Sequence, residues 1–240
     1  MVQGVVIIPT YNEIENIQRI ITVTMSLPQH FHVLVVDDNS PDGTAQAVRS
    51  LQSAYPDRLF LEVRQQKEGL GTAYVYGFRW ALERSYTHIF EMDADFSHNP
   101  MDLPLLLKAC EDGADMSIGS RYVTGVNVVN WPLNRVLLSY FASVYVRFIT
   151  RMKIRDTTAG FICYRREVLE RIRLDKIRFI GYAFQIEMKY RAFDLGFQLV
   201  EVPIIFTDRT EGASKMSNGI IKEAVFGVVT LRIKQLLNKL

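Results

Sequence analysis

Three polar segments of this sequence could carry chemistry, because each bears carboxylates and follows a short apolar run. They are Pro9-Thr10-Tyr11-Asn12-Glu13, Asp37-Asp38-Asn39-Ser40-Pro41-Asp42-Gly43 and Asp93-Ala94-Asp95-Phe96-Ser97-His98. Taken singly, such segments are typical of solvated turns, since Asp, Asn, Ser and Gly favour turns and helix caps. Gathered at one place, their carboxylates would concentrate negative charge at a high free-energy cost unless a cation were bound there. Together they predict a metal-assisted site.

The Asp-x-Asp pair of the third segment supplies the candidate metal ligands. Two acids at this spacing are a weak signal alone, but Asp93 and Asp95 stand directly after an apolar run. A hard divalent cation prefers carboxylate oxygens, keeps water ligands and bridges substrate phosphates. We therefore predict that Asp93 and Asp95 bind Mg²⁺ or Mn²⁺.

The elements that must position these segments are short strands alternating with helices. The predicted strands are the apolar runs at 5–8, 33–36, 59–64 and 89–92. A helix is predicted after the first strand, with Asn12 and Glu15 as its N-terminal capping pair, and two more at about 43–53 and 71–85. Right-handed crossovers place such strands in one parallel sheet, whose carboxyl-terminal loops gather on one rim where ligands bind.

The second half of the chain continues this alternation. We predict a helix from 100 to about 112, a strand at 116–120, a helix at 131–151, a strand at 160–165, a helix at 184–195, a strand at 198–206 and a last helix from about 219. The fold class is thus α/β, a mainly parallel, Rossmann-like sheet flanked by helices, with amphipathic helices in the C-terminal half.

Composition narrows the class of protein. The chain has 240 residues, of which 48% are hydrophobic and 22% charged, which predicts one globular domain and excludes a disordered chain. Cys110 and Cys163 match no metal-binding spacing and indicate reduced, buried thiols. We find no signal peptide and no apolar run of about 20 residues, so we expect a cytosolic protein without a membrane span.

The charge of the chain is unevenly distributed. The net charge is only +2, and we expect no nucleic acid partner. Residues 116–155, however, contain six basic side chains and no acidic one. This stretch should attract anions.

The segments Pro9 to Glu13, Val35 to Thr44 and Met92 to Pro100 resemble the signature segments of family 2 glycosyltransferases, which have the GT-A fold. Further segments are similar to the dolichyl-phosphate or polyprenyl-phosphate mannose synthase branch of that family, and the resemblance covers nearly the whole chain. These further segments are Gly69-Leu70-Gly71, Gly119-Ser120-Arg121-Tyr122 and those at 156–161, 181–187 and 209–215.

The resemblance implies a role for each site residue. Asp93, Asp95, Arg121 and Arg135 would be catalytic, with the two arginines binding the acceptor phosphate and the two aspartates the metal. Gln185 and Glu187 would lie near the sugar, although both could be structural hydrogen-bonding residues. Residues that would bind the sugar nucleotide, with Asp37 at the nucleoside, are Pro9, Tyr11, Glu13, Asp37, Asp38, Gly71, Asp93, Ala94, Asp95, Arg209 and Lys215.

The activity implied by the resemblance is the transfer of a hexose, mannose from GDP-mannose, to dolichyl or polyprenyl phosphate with inversion at the anomeric carbon. Arginine pairs well with phosphate, so a cationic site suits a reaction between two anions. The chain would act at the cytosolic face of a membrane, docked through its amphipathic helices or through small membrane subunits. A single domain at 1–240 would comprise a nucleotide half at about 1–115, an acceptor half at about 116–215 and a C-terminal helix at about 219–240.

Other functions remain open at this stage. A transferase of the same fold could use another donor, such as UDP-glucose, or a protein or polysaccharide acceptor. A nucleotide-cofactor dehydrogenase also has a parallel sheet, but Pro9-Thr10-Tyr11-Asn12 stands where its Gly-x-Gly-x-x-Gly turn would be. An inactive binding subunit is a third alternative, although retention of both metal carboxylates and of the basic residues disfavours it.

Overall fold

A computed structural model describes residues 3–181, 183–208 and 218–237, with side chains from 226 onward in the last segment. The strands are β1 Gly4–Thr10, β2 His32–Asp37, β3 Leu59–Val63, β4 His88–Glu91, β5 Met116–Ser120, β6 Val128–Val129, β7 Ile162–Arg165, β8 Leu199–Pro203 and β9 Phe206–Thr207. The helices are α1 Ile14–Met25, α2 Thr44–Gln52, α3 Leu70–Leu82, α4 Leu103–Glu111, α5 Leu133–Thr150, α6 Arg166–Arg171, α7 Ala183–Asp194 and α8 Asn218–Leu236, with 3-10 turns at Pro100–Asp102 and Leu174–Lys176.

The main sheet has seven strands in the order β3-β2-β1-β4-β7-β5-β8. Side chains of β1 alternate between two buried layers: Ile7 packs with α3 and α7, and Ile8 packs with α1, α2 and α4. Burial on both faces explains why the strands are almost wholly apolar. The predicted α/β class with a mainly parallel sheet is confirmed.

Two strands differ from the prediction. β7 is antiparallel to both of its neighbours, β4 and β5, although it follows a long helix. The strand predicted at 198–206 is divided: β8 ends at Pro203, and β9 pairs with β6 in a separate two-stranded sheet. Proline cannot donate a ladder hydrogen bond, so the main sheet ends there and the chain crosses toward the rim.

The N-terminus of α1 corrects the predicted capping by Asn12. Asn12 has a left-handed backbone (φ 58°), Glu13 occupies the cap position, and neither side chain caps the helix. Side chains of the second polar segment accept from the free N–H groups instead: Asn12 N–H donates to Ser40 Oγ (3.0 Å), Glu13 N–H to Thr44 Oγ1 (3.0 Å) and Ile14 N–H to Asp42 Oδ2 (3.1 Å). A local capping pair is thus replaced by contacts between two rim loops.

Helices α5 and α8 pack against each other and leave apolar side chains exposed. On α5, Leu133, Leu137, Phe141, Val144 and Phe148 recur at helical spacing along one face, and all are exposed. We call this face the apolar stripe. On α8, Phe226, Val229, Ile233 and Leu236 form a similar exposed row. Within the described residues, no helix is long and apolar enough to cross a bilayer.

Candidate active site

The first two polar segments, which form loops at the rim of the sheet, are joined by hydrogen bonds to Asp37, the last residue of β2. Asp37 is fully buried, and its Oδ1 accepts from Thr10 Oγ1 (2.8 Å) and Ser40 Oγ (2.7 Å) while its Oδ2 accepts from Ser40 N–H (2.9 Å). Three hydrogen bonds offset the cost of burying this carboxylate. Asp37 therefore builds the rim, and its predicted contact with the nucleoside stays a prediction.

Asp38 connects the same rim to the glycine turn before α3. Its Oδ1 accepts from Arg64 Nε (2.6 Å), and Arg64 Nη1 donates onward to Thr72 Oγ1 (2.9 Å). Arg64 and Asp38 are both largely buried, so the pair fixes the distance between β2 and α3. Tyr11, half-buried on the first loop, lies under the Lys67 ammonium, which is 4.2 Å from the ring centroid.

Gly71 is required by packing at the start of α3. A Cβ there would stand 2.8 Å from the Phe179 carbonyl oxygen and 2.8 Å from the Phe184 ring. Its N–H donates to the Ile180 carbonyl (2.9 Å), which joins α3 to the segment before α7. The absence of a side chain at Gly71 therefore lets α3 approach the protein's own backbone at Phe179. Its predicted contact with the nucleotide stays a prediction.

Asp93 and Asp95 lie on the loop after β4, with their carboxylates on the wall of a cavity of about 350 Å³. Tyr74 Oη donates to Asp93 Oδ1 (3.2 Å), and Ser97 N–H donates to Asp95 Oδ1 (3.0 Å). Ala94 between them is buried in the core, so the loop presents both acids on the same side. The Asp93 side chain is 37% exposed and accessible to a ligand.

His98 holds this loop as a neutral ring. Burial, helped by the charge of Arg121, lowers the pKa of His98 to about 4 despite the opposing attraction of Asp95 and Asp156. Its Nδ1 accepts from Asp93 N–H (3.3 Å), and the ring stacks on Phe161 with centroids 5.0 Å apart. His98 therefore packs this loop against Phe161.

Arg121 follows β5 and forms a buried ion pair with Asp156. Arg121 Nε donates to Asp156 Oδ2 (2.7 Å) and Nη2 to Oδ1 (2.6 Å), a bidentate arrangement, while Nη2 also donates to Thr158 Oγ1 (2.8 Å). Burial raises the pKa of Asp156, but the charge and hydrogen bonds of Arg121 outweigh it and bring that pKa below its ordinary value. Arg121 is thereby fixed on the cavity wall.

Arg135 stands on the same cavity wall, on the first turn of α5. Its Nη1 donates to both carboxylate oxygens of Asp208 (2.8 Å each), and its guanidinium lies 4.0 Å from the centroid of the Trp131 ring. Both members of this pair remain about one quarter exposed, so an anion can reach them. Arg209 and Lys215, which the resemblance assigns to the sugar nucleotide, lie outside the described residues.

Gln185 and Glu187 lie on α7, but their two-residue spacing points them to different sides of the helix. Gln185 lines the cavity. Glu187 faces away from it: Oε2 accepts from the Arg178 and Phe179 N–H groups (2.9 and 3.1 Å), and Oε1 accepts from Arg191. Glu187 thus anchors the segment before α7, and its predicted place near the sugar stays a prediction.

A buried polar group beneath the cavity was missed by the sequence analysis. Glu91, in β4, accepts from Tyr164 Oη (2.6 Å) and Gln185 Nε2, and Lys189 Nζ donates to the Ala159 and Gln185 carbonyls. Burial raises the pKa of Glu91 and lowers that of Lys189, while their mutual attraction opposes both shifts. The signal available in the sequence was a carboxylate inside an otherwise apolar strand.

The cavity joins three kinds of surface. Asp93 and Asp95 form an acidic side, Arg121 and Arg135 a basic side, and α5 supplies an apolar wall. The side chains of that wall are Leu138, Phe141, Ala142, Tyr145 and Val146. Of the predicted residues, Asp93, Asp95, Arg121, Arg135 and Gln185 meet here, whereas Pro9, Tyr11, Glu13, Asp37, Asp38, Gly71 and Ala94 lie outside its wall.

The acidic side suits a divalent cation that shares its ligands with a substrate. Across the described part of the chain, no three His, Cys, Asp or Glu side chains form a ready-made metal cage. Two carboxylates are nevertheless the donor set preferred by Mg²⁺ or Mn²⁺ when water and phosphate oxygens complete the shell. Asp93 and Asp95 fit that requirement.

Comparison with known proteins identifies relatives over almost the full chain. The family model described as glycosyl transferase family 2 matches residues 5–173. A protein of Mycolicibacterium smegmatis named polyprenol monophosphomannose synthase is 51% identical over 98% of this chain and 88% of its own length. The undecaprenyl-phosphate mannosyltransferase of Micrococcus luteus is 47% identical over 92% of this chain and 90% of its own.

Solved structures share the fold at low sequence identity. Glucosyl-3-phosphoglycerate synthase of Mycobacterium tuberculosis, crystallised with Mn²⁺, UDP-glucose and phosphoglyceric acid, is 16% identical and superposes with a TM-score of 0.68 over 99% of this chain and 79% of that chain. A mycobacterial protein, 18% identical, gives a TM-score of 0.70 over 96% of this chain and 74% of its own. The predicted GT-A architecture is confirmed.

The Arg121–Asp156 pair generates a stability prediction. Asp156→Asn leaves the Arg121 guanidinium buried without a compensating charge, so we expect the free energy of unfolding to fall by about 3 kcal/mol. Urea denaturation measures the change. Asp112→Asn, which breaks the exposed Lys108–Asp112 pair, is the control and should cost under about 1 kcal/mol. Equal losses in the two variants would contradict the assigned role of the buried pair.

The same ion pair predicts that the free energy of unfolding depends on pH. The folded-state pKa of Asp156 lies below its ordinary value of about 3.9, so its stabilisation is complete above that value and is lost as the pH falls through the folded pKa. The difference in unfolding free energy between wild type and Asp156→Asn should be constant from pH 7 to 5 and shrink below about pH 4. A difference that stays constant down to pH 2.5 would refute the assignment.

Proposed function

The chain belongs to glycosyl transferase family 2, and we propose that it transfers mannose from GDP-mannose to a polyprenyl or dolichyl phosphate. The observation that carries the proposal is the meeting of acidic, basic and apolar surfaces in one cavity. An Asp-x-Asp pair suits a metal-bound diphosphate, paired arginines suit a second phosphate, and an apolar helix suits a lipid. The names of the two close relatives support the mannosyl group and the polyprenyl acceptor.

The basic side of the cavity would bind the acceptor phosphate. Arg121 is fixed by Asp156, and Arg135 is held by Asp208 against the Trp131 ring. Fixed guanidinium groups bind phosphate with little loss of side-chain entropy and reduce the repulsion between the two anionic substrates. The acceptor is already ionised at neutral pH, so the site needs no general base.

The reaction is then a single displacement. An oxygen of the acceptor phosphate forms a bond to the anomeric carbon, the bond from that carbon to the diphosphate breaks, and the diphosphate leaves with the electron pair. Attack opposite the leaving group inverts the anomeric centre, so an α-linked donor gives a β-linked lipid phosphate mannose.

The donor side would be held by the acidic loop and the first two rim loops. Asp93 and Asp95 would bind Mg²⁺ or Mn²⁺, which when present neutralises charge on the departing diphosphate. We assign the remaining nucleotide contacts to residues near the loop ends of β1 and β2, to the metal loop and to the region that follows Asp208. These are Pro9, Tyr11, Glu13, Asp37, Asp38, Gly71, Ala94, Arg209 and Lys215.

We further propose that the protein docks on the cytosolic surface of a membrane through the apolar stripe of α5 and the exposed apolar row of α8. Leu133 and Phe148, at the two ends of the stripe, are 72% and 82% exposed. Arg151 and Lys153 follow it and are exposed, as expected beside anionic headgroups. Because α5 also lines the cavity, docking would bring the lipid phosphate to the site. A small hydrophobic membrane subunit is the alternative cover for the same surface.

Transfer is the direct test of the proposed reaction. With Mg²⁺ or Mn²⁺ and a short polyprenyl phosphate, the wild-type chain should form lipid-linked mannose from GDP-mannose, and chelation should abolish the product. Asp93→Asn should lower kcat/KM at least about 100-fold with an unchanged melting temperature, because it removes a metal ligand. Asp112→Asn, on the exposed end of α4, is the matched control. Faster transfer from UDP-glucose, or full activity of Asp93→Asn, would overturn the donor or the metal assignment respectively.

Vesicle binding tests the docking surface. Leu133→Ser with Phe148→Ser should weaken co-sedimentation with vesicles containing anionic phospholipid about tenfold or more, because two large apolar side chains no longer insert. The control is Met101→Ser with Leu105→Ser, which removes two comparably exposed apolar side chains near α4. A wild-type chain that stays in solution, or equal losses in both variants, would refute docking through the stripe.

A further inference from the structure

Gln185 lines the cavity and carries a polar atom whose hydrogen-bonding capacity is unused. Its side chain is 3% exposed and lines the cavity wall, and among the described residues its Oε1 has no hydrogen-bond partner. Gly160, which also lines the cavity, lies beside this amide, since a Cβ there would stand 3.4 Å from Gln185 Nε2. A buried carbonyl oxygen without a partner costs about 1–3 kcal/mol, which a donor on a bound ligand would recover.

Glu91 decides which end of the Gln185 amide faces the cavity. Glu91 is fully buried on β4, and its Oε2 accepts from Gln185 Nε2. Because Gln185 Nε2 is the donor of this bond, the amide turns its NH₂ toward Glu91 and its carbonyl away from it. Tyr164 Oη donates to the other oxygen of Glu91, and the Lys189 ammonium, also fully buried, supplies a compensating charge. Both oxygens of Glu91 therefore act as acceptors, one for Tyr164 and the other for the NH₂ of Gln185.

We propose that Glu91 is a positioning residue for the donor sugar: it fixes Gln185 so that Oε1 accepts a hydrogen bond from one hydroxyl of the transferred hexose. The inference rests on the proposed function and adds a source of selectivity to it. A site built around one hydroxyl strongly rejects an analogue without that hydroxyl, because its acceptor is then left buried and unpaired. Glu91 itself does not contact the sugar.

The experiment compares GDP-mannose with its four analogues that lack the hydroxyl at C2, C3, C4 or C6. The wild-type chain should discriminate against one of the four by about 100-fold or more in kcat/KM. Glu91→Gln can both donate and accept, so the Gln185 amide is free to turn, and we expect that ratio to fall at least about tenfold. The affinity of Glu91→Gln for GDP alone should equal that of the wild type, because GDP lacks the transferred hexose.

Two further variants separate positioning from general damage to the core. The double variant Glu91→Gln with Gln185→Glu restores the pairing with the roles exchanged and again presents an oxygen to the cavity, so the discrimination should return. Gln185→Met keeps the side-chain volume but removes the hydrogen-bond acceptor, so this variant should lose the discrimination between donors. Glu62→Gln is the control: this carboxylate on β3 also accepts from a tyrosine and an N–H group, Tyr76 Oη (2.9 Å) and Trp80 Nε1 (3.0 Å), but lies outside the cavity.

The outcomes are distinct. A wild-type chain that transfers no mannose refutes the proposed function and this inference with it. Transfer by wild type combined with undiminished discrimination in Glu91→Gln or Gln185→Met overturns only the inference. Equal losses on all donors in a folded Glu91→Gln, without recovery in the double variant, also overturn it, because that pattern indicates a structural role.

Discussion

The buried ion pair between Arg121 and Asp156 is the interaction on which the basic side of the cavity depends. Arg121 follows β5, and Asp156 precedes β7, which runs antiparallel between β4 and β5. Glu201 of β8 fixes the same place, because its carboxylate accepts from the Arg155 and Asp156 N–H groups (2.7 and 2.8 Å) and from Ser120 Oγ (2.7 Å). Three strands thus converge to hold one guanidinium opposite the acidic loop of β4. Because β7 is reversed, it begins at the rim where β4 and β5 end, and this brings Asp156 to Arg121.

Much of this arrangement could be predicted from sequence because it follows from strand direction. The apolar runs that became β1, β2 and β4 are parallel, so their polar loops had to reach one rim, and the Asp93–Asp95 loop was predicted on that basis. The direction of β7 could not be predicted, since a run such as 160–165 has the same apolar pattern in either orientation. The same holds for capping: Asn12 matched a local rule, but long-range contacts from Ser40, Asp42 and Thr44 satisfied the helix instead.

The polar network under the cavity shows a second limit of sequence analysis. Residues 183–192 of α7 are all buried, including Glu187, Lys189 and Arg191. Periodicity predicts one apolar face for a helix, and charged residues on the remaining faces are expected to be solvated. Here the sheet, α3, α6 and α8 enclose the helix, so each charge must find a partner inside the protein. Which partner it finds depends on tertiary distances, and so the different roles of Gln185 and Glu187 became visible only in the structure.

The size of the cavity has a consequence for the range of lipids that a docked enzyme could use. A volume of about 350 Å³ lies at the lower end of the range for small-molecule sites, roughly 300–1,000 Å³. Under the proposed function it would hold a sugar, a phosphate and the first few carbons of a chain, and the remainder of the tail would lie along α5 or in the bilayer. A site that contacts only the phosphate end of its acceptor cannot discriminate between lipids with different numbers of isoprene units. Under the proposed function, the length of the product lipid would be set by the membrane that supplies it.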